Sequence, residues 1–63
     1  MSKQEPVEFT AELKRQTEAA YLVNDGDDDI WIPKSQCLMF ELVSGDTYDI
    51  VIPEWLAEVK GII

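Results

Sequence analysis

The sequence has no histidine, one cysteine, and five lysines and arginines among 63 residues. Each shortage excludes something. Without histidine the commonest general base is missing, and the lone thiol of Cys37 has no imidazole to activate it. One thiol and no imidazole also make a poor zinc site. A single cysteine cannot form an internal disulfide, which favours a reducing compartment. No apolar run approaches the roughly 18 residues of a membrane-spanning helix. The opening "MSKQEPVEFT" carries no apolar core of a signal peptide, so a cytoplasmic protein of the host cell is expected.

What is abundant is acid. Thirteen aspartates and glutamates give a net charge of −8 and a pI near 4.1. Such a field repels phosphate backbones and anionic lipids and attracts basic surfaces. Hydrophobic residues at 46% are enough for a core, so the chain is expected to fold as one domain. At this length its stability is on the order of 3–9 kcal/mol.

The hydrophobic pattern predicts mostly strands. Residues 1–6 read as a flexible N-terminus, and 7–63 as a single acidic β-rich domain. From Val7, apolar Val7, Phe9, Ala11 and Leu13 alternate with Glu8, Thr10, Glu12 and Lys14, the period of a half-buried strand. "RQTE" turns the chain, "AAYLV" and "IWI" form a hairpin around the aspartates, and Pro33 ends it. "CLMFELV" and "TYDIVI" form a second hairpin around "SGD". "PEWLAEVKG" reads as a short helix, with Pro53 and Glu54 at its start and Gly61 at its stop. The expected class is α+β: about five strands in a small antiparallel sheet or partly open barrel, with one short C-terminal helix.

Register follows from the same alternation. A three-residue Ser44–Asp46 loop sets Leu42 against Tyr48, Phe40 against Ile50 and Leu38 against Ile52, all on the core face. It also sets Glu41 opposite Asp49, and like charges in direct opposition destabilise a sheet. In the first hairpin, a loop of Asp25–Asp28 pairs Val23 with Ile30 and Tyr21 with Ile32. Leu22 and Trp31 then share the other face with Met39 and Val51. That set forms an outward apolar patch or lies beneath the helix, and the area a small domain needs favours the helix.

The loop "NDGDDD" invites a cation, but EF-hand spacing fails. Counted from Asp25, the sixth position is Ile30 and the twelfth Gln36. No metal or cofactor is expected, and no catalysis, because so short a chain builds no cleft deep enough to desolvate a carboxylate. Base stacking on Trp31, Tyr21, Tyr48 or Phe9 suits a small β-barrel, yet dispersed cations offer little to phosphates. What remains is an acidic surface formed by Glu8, Glu12, Asp25, Asp27, Asp28, Asp29, Glu41 and Asp49. Outward strand positions recur every ~6.8 Å and strands every ~4.8 Å. Carboxylates so spaced approximate a few phosphates, which lie ~3.4 Å apart along each DNA strand. Asn-Asp-Gly alone is a turn signal and explains part of the loop, but not Asp28, Asp29 or the Glu41–Asp49 opposition.

Two segments, "AYLVNDGDDDIWIPKSQ" (20–36) and "IPEWLAEVKGII" (52–63), look like parts of small proteins encoded by phages and prophages. The tiny acidic domain also resembles phage anti-CRISPR proteins, several of which mimic DNA. That resemblance implies a monomeric inhibitor that occupies the basic, nucleic-acid-binding surface of a host complex such as a CRISPR effector, with no membrane and no direct nucleic-acid contact. "WIPKSQ" is similar to small phage proteins of unassigned role. It keeps open an alternative: an accessory β-barrel that binds single-stranded nucleic acid in phage replication or recombination.

Overall fold

A computed structural model describes residues 5–63. Five strands run β1 Val7–Gln16, β2 Ala20–Asn24, β3 Asp29–Pro33, β4 Met39–Ser44 and β5 Thr47–Ile52, followed by helix α1 Glu54–Val59. They form one antiparallel sheet in the order β3-β2-β1-β5-β4, which is not closed into a barrel. Of the N-terminal segment expected to be loose, residues 1–4 lie outside the described residues. The Glu5 backbone N–H donates to the Glu54 carboxylate at 3.3 Å.

Strand β1 is the spine. Its lower half pairs with β5, from Val7 opposite Ile52 to Glu12 opposite Thr47. Its upper half pairs with β2, from Glu12 opposite Asn24 to Gln16 opposite Tyr21. The pattern of alternation stops at Lys14, but the strand does not. A bulge at Lys14 carries it two residues further, into the segment expected to turn. The turn itself is built by Thr17, whose hydroxyl accepts the backbone N–H groups of Ala19 and Ala20 at 3.2 and 3.1 Å.

The sheet coils strongly. Tyr21 of β2 stacks on Phe40 of β4, ring centroids 3.8 Å apart, although β1 and β5 lie between their strands. Phe40 stacks in turn on Tyr48 at 4.4 Å. Ala11, opposite Tyr48 on the concave face, presents only a methyl group, leaving room there for the rings. The rest of that face supplies the core: Val23, Ile30, Ile32, Ile50 and Ile52, closed by Leu56 and Ala57 of α1. The helix stops where Gly61 takes φ +78°, with Gly61 N–H donating to Glu58 O and Ile62 N–H to Ala57 O.

The helix therefore covers the concave face, and the expectation that it covers Leu22, Trp31, Met39 and Val51 is overturned. Those four lie on the convex face, with Trp31 43% exposed and the other three half-buried. Concave isoleucines need more cover than convex residues that partly shield each other, so the helix goes to them.

The second hairpin has the expected register by a different route. Phe40 faces Ile50, Glu41 faces Asp49 and Leu42 faces Tyr48. The loop is not three residues, however. Ser44 pairs with Thr47 around Gly45 and Asp46, and Val43 is the extra residue of a bulge. Gly45, at φ +56°, supplies the positive φ that a two-residue hairpin turn requires. Leu38 and Leu42, expected in the core, are about 60% exposed. β4 is an edge strand, so Leu42 on its concave side has no strand beyond it, and Leu38 lies in the bend that precedes the strand.

Candidate acidic surface

The first hairpin keeps its expected pairs, Val23 with Ile30 and Tyr21 with Ile32, and so presents the aspartates in a tight loop. Within that loop the carboxylates divide by task. Asp25 accepts the backbone N–H groups of both Asp27 and Asp28 at 3.0 Å. Those two bonds hold its carboxyl below its ordinary value. Asn24 accepts Gly26 N–H at 2.8 Å and donates its own amide to Asp29 at 2.8 Å. Asp25 and Asp29 are thus bound up in making the turn. Asp27 and Asp28 are exposed and make no side-chain hydrogen bond or ion pair among the described residues.

The denser arrangement lies on the convex face of the sheet. Asp49 of β5 stands between Thr10 of β1 and Glu41 of β4. Glu8 and Glu12 flank Thr10 on the same face of β1, placing both diagonal to Asp49. In such a lattice the direct partner is about 5 Å away and the diagonals about 7–8 Å. Asp49 is therefore ringed by three glutamates.

The arrangement holds Glu8 above its ordinary value, because a hydrogen bond shared with Asp49 and the charge of Asp49 both favour its proton. Glu12 has Lys14 at 3.8 Å, an exposed pair of little energetic weight. Glu8, Glu41 and Asp49 form no ion pair among the described residues. Lys34 is engaged elsewhere: it donates to Gln16 at 2.9 Å and sits 4.9 Å over the Tyr21 ring.

Sequence reasoning set Glu41 against Asp49 and counted Glu8 and Glu12 to the same surface, but did not place them diagonal to Asp49. That needs the pairing of the first strand with the last, which no local pattern announces. Among the described residues no three metal-ligating side chains converge, and no pocket opens in the surface. Cys37 is half-buried, and its thiol donates to Met39 O at 3.2 Å; burial pushes it up from its ordinary value. The chain matches no known protein family, no curated protein sequence and no solved structure.

Proposed function

We propose that this chain is a non-catalytic acidic module that occupies the basic surface of a nucleic-acid-binding complex and excludes DNA from it. The observation that carries the reading is the ring of Glu8, Glu12 and Glu41 around Asp49. Like charges so placed oppose folding. An arginine- and lysine-rich cleft relieves that repulsion and gains from it. Asp27 and Asp28 extend the same charge at the end of the first hairpin. A CRISPR effector is the partner to test first, on the strength of the resemblance to phage anti-CRISPR proteins.

The accessory single-strand-binding alternative is less well supported. Tyr21, Phe40 and Tyr48 are stacked on one another, so the inner ring faces are not open to bases, and Trp31, 43% exposed, shares the convex face with the acidic ring, which repels phosphates.

Competition decides the matter. A purified effector complex, its DNA target and increasing amounts of this protein are run in a gel-shift assay at two salt concentrations. The parent should displace the DNA, less effectively at high salt, since exposed charges are screened over ~8 Å at physiological ionic strength. The triple variant Glu8→Gln, Glu41→Gln, Asp49→Asn should lose most of that effect. If the variant displaces DNA as the parent does at both salts, the acidic ring is not the surface used. A shift of single-stranded DNA by the protein alone at low salt would support the alternative instead.

A further inference from the structure

The two edges of the sheet are not alike. The β3 edge is blunted by Pro33 at one end and by Asp29, locked to Asn24, at the other. Proline and charge are the ordinary means of keeping an edge from pairing. The β4 edge carries no proline; its one charge, Glu41, repels an acidic strand and not a basic one, and its bulge at Val43 leaves Met39–Leu42 regular. Beyond β5 it has no neighbour among the described residues, so one side of its backbone is unpaired. Its side chains are sorted by face: Leu42 stands exposed toward the concave side, and Glu41, beside Asp49, toward the convex side.

We propose that β4 is a docking edge, on which an extended segment of a basic partner protein adds as a sixth strand. The alternation of β4 dictates the partner's. Apolar residues of the incoming strand cover Leu42, and the intervening arginines or lysines meet Glu41 and Asp49. Main-chain hydrogen bonds supply affinity and the alternate side chains supply selectivity. A second copy of this chain is the competing occupant, and charge disfavours it, because each copy brings −8 to the contact. The proposal rests on the acidic-surface reading for its choice of a basic partner and adds to it the mode of binding.

The probe is a short blocked peptide alternating arginine with valine, compared with the same peptide N-methylated at alternate residues. N-methylation removes backbone donors and leaves charge and side chains intact. The parent should bind the first peptide, with amide exchange slowed along Met39–Ser44. It should bind the N-methylated one about tenfold or more weakly, as loss of two or three net hydrogen bonds requires. Leu42→Gln, at an exposed position of β4, should weaken the first peptide and leave the melting temperature in place. Equal binding of the two peptides overturns strand addition while leaving the acidic surface standing. Failure of the unmodified peptide to bind also overturns it. Protection of β4 without peptide, together with a dimer in sedimentation, overturns it in favour of a second copy. The acidic surface fails by a different result: a triple carboxylate variant that displaces DNA as well as the parent.

Discussion

The two hairpins flanking β1 are built from the same parts and use charge in opposite ways. In β2–β3 the carboxylates sit in the loop, and two of them earn their place by satisfying backbone and amide donors there. In β4–β5 the loop is two residues long and holds one carboxylate, Asp46, while Glu41 and Asp49 sit inside the ladder, facing each other and β1. Asp25 and Asp29 therefore have a local structural reason, whereas Asp27, Asp28 and the carboxylates of the like-charged ladder do not. The conspicuous run of aspartates is in part a turn, and the less conspicuous Glu8, Glu41 and Asp49 make the stronger case for recognition.

The largest effect tests whether the hairpins share one core. Ile32 of β3 and Ile50 of β5 are both fully buried. Ile32→Ala and Ile50→Ala should each cost about 2–5 kcal/mol in urea unfolding. Comparable losses place the hairpins in one cooperative unit, and a small loss at either position would make that hairpin peripheral.

A smaller effect separates the loop carboxylates. Asp25→Ala removes the acceptor of two backbone N–H groups and should lower the melting temperature clearly. Asp27→Asn with Asp28→Asn should change stability by no more than about 0.5 kcal/mol. Equal behaviour of the two variants would dissolve the distinction between structural and presented aspartates.

The smallest effect concerns the ladder. Asp49→Asn should leave stability at neutral pH unchanged or raise it by about a few tenths of a kcal/mol, because it relieves the opposition to Glu41. Its signature is in the pH dependence. Glu8 holds its proton more tightly folded than unfolded. The stability it contributes is therefore full below its ordinary value of 4.5 and is lost as pH rises through the higher folded value. Asp25 has the reverse sign: its contribution is full above 3.8 and is lost as pH falls through the lower folded value. Thermal melts across this range should show Asp49→Asn abolishing the loss on the alkaline side and leaving the loss on the acid side. If the alkaline loss persists, the shared proton is not between Glu8 and Asp49.

Much of the fold is legible in the sequence, because β4 and β5 alternate and only one register buries Phe40, Tyr48, Ile50 and Ile52 together. The same logic finds Val23 against Ile30. It fails where both faces of a strand are apolar. Leu22 and Trp31 offer a helix as attractive a seat as Val23 and Ile32 do, and only the coiling of the sheet decides between them. Bulges at Lys14 and Val43 are equally silent, since neither residue type marks one. Of the candidate site, Glu41 and Asp49 are legible from one hairpin, but their meeting with Glu8 and Glu12 depends on a pairing between distant parts of the chain. The internal roles of Asp25 and Asp29 are half-signalled: Asn-Asp-Gly announces a turn without saying which oxygens fasten it.

That distant pairing also implies an order of assembly. Each hairpin closes a loop of only a few residues, so its contacts cost little chain entropy and can form early. Val7 meets Ile52 only after almost all of the described chain has been gathered between them. β1 contributes the central strand, and neither hairpin can join the other without it. Its pairing with β5 is the non-local step and is expected to be the slow one, and the three glutamates and Asp49 are brought together only there. Before it, the negative charge is spread along a loose chain; after it, the charge is concentrated on one face. The acidic face is thus expected to be a late product of folding, and a chain whose β1 is not paired with β5 presents no such face, however complete its hairpins are.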